Sequence, residues 1–144
     1  MLLTMTTLNF SVSINAPKEK VWDKLWSDAS YRQWTSAFME GSYAETDWQE
    51  GSKVLFLSPG GDGMFSIIEK KVPYQEMTFK HLGEVKKGVE EAKDWEGARE
   101  SYQLSERDGT TQVNVKLDTV EDYKDYFDKT FPKALDLLKQ ISEQ

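Results

Sequence analysis

The chain is 144 residues long, 38% hydrophobic and 12% aromatic, which suffices for one compact domain around one core, residues 1–144. With 18 basic against 25 acidic side chains the formal charge is −7, which repels phosphate backbones and anionic lipid, so neither nucleic acid nor a membrane surface is an expected partner. There is no cysteine, which excludes disulfides, thiolate nucleophiles and cysteine-ligated metal.

The opening residues, MLLTMTTLNF, lack the basic region and long apolar stretch of a secretory leader. No apolar run approaches the roughly 20 residues that span a bilayer, so a cytoplasmic location is expected. From Thr6 to Asn15 the pattern alternates strictly, with Leu8, Phe10, Val12 and Ile14 on one face, the period of a half-buried strand. Pro17 then suits the first turn of a helix, and residues 18–27 place Val21, Trp22, Leu25 and Trp26 at three- and four-residue spacing. Asp28 or Ser30 is positioned to cap a second short helix carrying Tyr31, Trp34 and Phe38.

Beyond Gly41 the punctuation is that of an antiparallel meander. Gly51, Pro59-Gly60-Gly61-Asp62-Gly63, Pro73 and Asp108-Gly109 separate short β-rich runs, read as strands over 42–47, 52–57, 64–71, 77–84, 99–106 and 111–118. Residues 86–97, KKGVEEAKDWEG, form the longest polar interruption and are expected to be a mobile loop displaying Trp95 among charges. The final segment is an amphipathic helix whose stripe runs through Val120, Tyr123, Phe127, Phe131, Ala134, Leu135, Leu138 and Ile141. Pro132 lies within it, which predicts a bend or a restart there.

The expected order is therefore β-α-α-β6-α, an α+β helix-grip fold. About seven strands form a strongly curved antiparallel sheet wrapped on the C-terminal helix, and the two short helices close one end. INAPKEKVWDKLWS with Asp28 and Trp34, followed by Trp48-Gln49-Glu50-Gly51-Ser52-Lys53-Val54, resembles the opening signature of the START-like (SRPBCC) superfamily. Within it, the chain is most similar to the branch of homologues of the activator of the ninety-kilodalton heat-shock-protein ATPase. Phe79-Lys80-His81-Leu82-Gly83-Glu84, Trp95-Glu96-Gly97-Ala98 with Glu100 and Tyr102, and Phe131-Pro132-Lys133-Ala134-Leu135 look like a bacterial subgroup of that branch. The superfamily includes lipid carriers, hormone receptors, polyketide cyclases and co-chaperone domains, so the resemblance implies an architecture and leaves the chemistry to individual side chains.

A bent sheet around one helix leaves space between them. The side chains expected to face that space are Trp34, Phe38, Phe56, Met64, Phe79, His81 and Tyr102, with Phe127, Phe131 and Leu135 from the helix. The aromatics of the short helices either plug the cavity or line its mouth. His81 is the only histidine and shares the face of Met77 and Phe79, so it is expected to point inward. A lone histidine does not make a zinc site, and no metal or other cofactor is expected. Glu69, Glu84, Glu100 and Tyr102 could supply an acid or base, although strand carboxylates more often face solvent. Gly60-Gly61-Asp62-Gly63 lacks a following Gly-Lys-Ser/Thr and reads as a turn, and no Ser/His/Asp constellation is visible.

Three functional readings follow. The first is a non-catalytic domain whose apolar cavity takes a small hydrophobic or aromatic ligand. The second, implied by the resemblance, is a co-chaperone-like domain of the stress response with a protein partner. Co-chaperones of the branch carry a separate N-terminal module and this chain starts close to its first strand, so direct ATPase activation is not expected. The third is a cyclase- or aromatase-type enzyme, which would need an acid–base pair such as His81 with Tyr102 or a carboxylate.

Overall fold

The computed structural model describes residues 4–95 and 97–144. The chain runs β1 (Met5–Ile14), α1 (Lys18–Trp26), α2 (Asp28–Thr35), β2 (Tyr43–Glu45), β3 (Lys53–Leu57), β4 (Gly63–Val72), β5 (Glu76–Lys86), β6 (Val89–Ala92), β7 (Arg99–Arg107) and β8 (Thr110–Val120). A single 3-10 turn, Glu121–Tyr123, leads into α3 (Lys124–Glu143). The eight strands form one antiparallel sheet in the order β1-β8-β7-β5-β4-β3-β2, with β6 attached to β5. Helix α3 packs across β1 and against α1 and α2, which is the helix-grip arrangement. Among the described residues no helix is long and apolar enough to cross a membrane.

The sequence pattern and the elements agree closely in β1 and α3. On β1, Leu8 and Ile14 are buried and Phe10 and Val12 pack partly buried on the same core. On α3, Phe131, Ala134, Leu135 and Leu138 are buried at helical spacing. The restart anticipated at Pro132 does not occur, because the helix continues through it. Pro132 and Asp128, whose carbonyl would have received the missing N–H, both lie on the exposed side where water can take the proton's place. Pro17 is the N-cap of α1 rather than part of its first turn, and its carbonyl accepts from the amides of Lys20 and Val21 at 3.0 and 3.1 Å. Helix α2 begins one residue earlier than a cap at Asp28 would place it. Ser27 is the N-cap, with its hydroxyl donating to Asp23 Oδ1 at 3.0 Å, while Asp28 sits in the first turn and pairs with Arg32.

The predicted mobile loop and the count of about seven strands need correction, since residues 89–92 form β6. Lys87 and Gly88 both have positive φ, 51° and 81°, as a two-residue hairpin turn with the twist of a β-ribbon requires. The far half of β5 would otherwise be an open edge: β7 covers Glu76–Lys80 and β6 covers Gly83–Lys86. All four β6 side chains are exposed, so the strand carries no hydrophobic alternation; it is held by its backbone ladder and by the Glu90 carboxylate, which accepts from Lys53 Nζ at 2.8 Å. Gly83 is where the two strands approach most closely. A Cβ there would lie 2.2 Å from the Glu91 carbonyl oxygen and 2.6 Å from the Phe65 ring. Gly83→Ala is therefore expected to cost about 1–3 kcal/mol in urea unfolding, whereas a change below about 0.5 kcal/mol would mean that β6 is not docked.

Two bulges bend the sheet near its middle. Ser66 pairs with His81 and Phe65 with Gly83, leaving Leu82 as an extra residue on β5. Ile68 pairs with Phe79 and Lys70 with Thr78, leaving Glu69 extra on β4. The first bulge reverses side-chain parity along β5: Met77, Phe79 and His81 face the main core side, but Glu84 and Lys86 follow them rather than Gly83 and Val85. Val85 instead joins Leu57 and Phe65 in a small separate cluster. The outlying Glu69 meets Arg99 at 2.7 Å on the surface, and this hydrogen-bonded guanidinium holds the Glu69 carboxyl below the ordinary range.

Candidate functional site

Between the curved sheet, α2 and the N-terminal half of α3 lies a pocket of about 1140 Å³. Trp34, Phe38, Phe56, Met64, Phe79, His81, Tyr102, Phe127 and Phe131 all stand on its wall. Leu135 does not, and its assignment to the cavity is corrected: it is 2% exposed and belongs to the closed core. The reason is the length of the grip. One helical turn beyond Phe131, α3 has left the pocket and lies where the helix packs tightly on β1 and α1.

The deep end is an aromatic network. Trp26 meets Tyr102, Phe79 and Trp34 edge to face, with ring centroids 5.0, 5.5 and 6.5 Å apart, and Phe56 meets Phe79 at 5.1 Å. Centroid separations of this order with near-perpendicular planes are favourable beyond area burial. The aromatics of this region do both things the sequence left open: Trp26 of α1 and Trp34 of α2 plug the floor, and Phe38, which lies in the turn after α2 rather than on the helix as expected, reaches with Met39 towards the mouth. Met39, Tyr123 and Tyr126 line the pocket and are exposed, marking its meeting with solvent. The Tyr126 hydroxyl donates to the Phe38 carbonyl at 2.5 Å and ties α3 to the end of α2. Trp95 also needs correction, since it is half-buried on the pocket wall and not displayed on an exposed loop.

One polar chain crosses this apolar floor. Ser66 Oγ lies 2.6 Å from His81 Nδ1, His81 Nε2 lies 3.1 Å from Glu100 Oε1, and the Tyr102 hydroxyl donates to Glu100 Oε2. The residues come from β4, β5 and β7, three adjacent strands, and the bulge at Leu82 sets Ser66 directly opposite His81. An ionised carboxylate only accepts, so Nε2 is the donor towards Glu100, while the Ser66 hydroxyl can either donate to Nδ1 or accept from it. His81 is 4% exposed, inward as expected, and its ring stands edge to face with Phe56 at 6.2 Å. Burial, and then the charge of Glu100 and the hydrogen bond to it, push the Tyr102 hydroxyl well above the ordinary tyrosine range. Tyr31, also on the wall, is pushed up by burial first and by Glu100 second. Trp26 Nε1 is buried with no acceptor among the described residues.

Sequence reasoning named Glu100 in a family-like motif and as one carboxylate among several, gave it no specific place beside His81, and passed over Ser66. A signal for Glu100 was available, since it shares strand parity with Tyr102 and Leu104, both buried. Ser66, flanked by Met64 and Ile68 at the same parity, was a polar residue on an otherwise apolar face. Gly60, Gly61 and Asp62 lie in the β3–β4 turn, with both glycines at positive φ, and Gly63 opens β4. Among the described residues there is no group of three His, Asp or Glu side chains able to hold a metal ion.

Comparison with known proteins gives one family match. The model described as Activator of Hsp90 ATPase homolog 1-like protein matches residues 15–143. No protein of curated function matches the chain. Among solved structures, the Aha1 dimer from Colwellia psychrerythraea superposes with a TM-score of 0.75 at 20% identity, covering 96% of each chain. CalU16 from Micromonospora echinospora gives 0.70 at 19% identity over 96% of this chain and 76% of its own. Mll3558 from Rhizobium loti gives 0.73 at 13% identity over 97% and 99%. At these identities the superpositions establish the shared fold.

Proposed function

The chain belongs to the Activator of Hsp90 ATPase homolog 1-like family, and from that premise we propose that it is a non-catalytic binding domain that takes a small hydrophobic or aromatic molecule between sheet and helix. The observation that carries this reading is the pocket itself: about 1140 Å³, slightly above the usual range for small-molecule sites, with many aromatic side chains on its wall and a few convergent polar groups. The polar chain favours binding over catalysis. Ser66 is fully buried behind His81, both ring nitrogens are engaged, and the Tyr102 hydroxyl is held too weakly acidic to serve as a ready proton donor. On this reading the domain works in the cytoplasm.

The test is a thermal and urea melt with the neutral fluorescent probe N-phenyl-1-naphthylamine. A ligand at one hundred times its dissociation constant is expected to add about 2.7 kcal/mol of stability. Phe56, half-buried on the wall, is the place to alter fit at modest cost, and Phe56→Leu is expected to change probe affinity several-fold. No shift with the probe, together with a Phe56→Leu variant unchanged in everything except stability, would overturn the reading.

A protein-interaction role is favoured by a different observation, the exposed apolar side chains of Met39, Tyr123 and Tyr126 around the mouth. In a co-chaperone-like domain these would be contact residues, and Tyr123→Ala would weaken the partner complex by more than it changes probe affinity.

A further inference from the structure

We infer that the pocket selects an apolar molecule with a cationic head, bound at Glu100. The inference rests on the cavity reading and adds the chemistry of the ligand's polar end.

Glu100 projects inward from β7 onto the pocket wall, with its side chain 16% exposed. Its oxygens receive two protons, from His81 Nε2 and from the Tyr102 hydroxyl. A carboxylate offers about four lone-pair sites, so acceptor capacity remains on a group that borders the pocket. No lysine or arginine forms an ion pair with Glu100 among the described residues; its ion-pair partner is the His81 ring, whose other nitrogen is bonded to Ser66. The carboxylate's field reaches both wall tyrosines, Tyr31 and Tyr102.

The remaining wall charges do not compensate it. Asp62, Glu84 and Asp118 are acidic, against the ammonium groups of Lys86 and Lys87. Lys86 stands 3.6 Å from Glu84, so its charge is already opposed. A carboxylate on an apolar wall that no lysine or arginine neutralises is costly when empty of further counter-charge, and a bound ammonium removes part of that cost. An anionic head meets repulsion from the same group, and a neutral alcohol gains only a hydrogen bond. The surrounding rings add to the preference, since the faces of Trp, Tyr and Phe attract cations. The chain's net charge of −7 draws cations to the mouth.

Three ligands with one ring system isolate the head group: 2-naphthylmethylamine, 2-naphthylmethanol and 2-naphthoate, titrated at pH 7 by calorimetry. The amine is expected to bind about tenfold or more tightly than the alcohol, with the naphthoate weakest. Glu100→Gln keeps the side-chain shape and removes the charge, so amine affinity should fall to that of the alcohol while alcohol affinity stays within about twofold. Tyr102→Phe retains the carboxylate and should retain the preference for the amine. Should Glu100→Gln fail to fold, the order of the three ligands on the wild-type chain decides. Equal binding of amine and alcohol, or tighter binding of naphthoate, overturns the inference and leaves the cavity reading standing. If all three ligands and N-phenyl-1-naphthylamine fail to bind, both fall together.

Discussion

Replacing Trp34 by Ala is expected to lower the unfolding free energy by about 3–5 kcal/mol, a large part of the roughly 5–15 kcal/mol that holds a domain of this kind together. Trp34 is 1% exposed, so the whole indole is withdrawn from water. Its ring meets Tyr31 at 5.4 Å, Tyr102 at 6.1 Å, Phe38 at 6.3 Å and Trp26 at 6.5 Å, all near perpendicular. Its Nε1 donates to the Leu25 carbonyl at 3.2 Å, which fastens α2 to the last turn of α1. Alanine loses the buried area, the edge-to-face contacts and that hydrogen bond at once, and opens a void that neighbouring rings cannot fill. Trp34→Phe retains part of the area and should lie between the two in urea melts. A loss below about 1 kcal/mol for Trp34→Ala would show that the rings of α1 and α2 are not packed as described.

Leu135→Ala is expected to cost about 2–5 kcal/mol, and to do so without touching ligand binding. Leu135 is as buried as Tyr102, but it sits in the sealed part of the grip beyond the pocket. Binding of N-phenyl-1-naphthylamine to the folded variant should therefore match wild type within about twofold, since the pocket wall is unchanged. A variant that keeps its stability would place α3 wrongly on the sheet. One that loses probe affinity while remaining folded would extend the pocket further along α3 than its wall residues indicate.

The parts of this fold legible in sequence are those governed by one period. Leu8 to Ile14 alternate on a strand with one face buried, and Phe131 to Leu138 follow the helical stripe, so both elements are specified by their own residues. The rest depends on neighbours far along the chain. Strand β6 exists because β5 has an uncovered edge, and its Val-Glu-Glu-Ala sequence carries no alternation to announce it. The meeting of Ser66 with His81 and Glu100 follows from strand order and from the extra residue at Leu82, neither of which is written in the local pattern. Leu135 was placed on the cavity because a stripe says which face a helix buries and not how far along that face the sheet closes.

The register of the outermost strand has a consequence for how the chain acquires its shape. Strand β1 pairs with β8 along its whole length, from Met5 opposite Val120 to Ile14 opposite Thr111. Helix α3 then covers β1, with Lys139 Nζ donating to the Ser13 carbonyl at 2.9 Å and Glu143 accepting from the Asn15 amide at 2.8 Å. Strand β1 therefore has its partners roughly a hundred residues later in the chain. At about 5–20 residues per second of synthesis, β1 spends roughly 5–20 s without β8. In that interval Leu8, Phe10, Val12 and Ile14 present an apolar face, and the backbone beside them is an unpaired edge. Closing so long a loop also places folding towards the millisecond-to-second end of the range for small domains. In the nascent chain β1 is thus an apolar edge awaiting its cover, and the emergence of β8 and α3 ends that exposure.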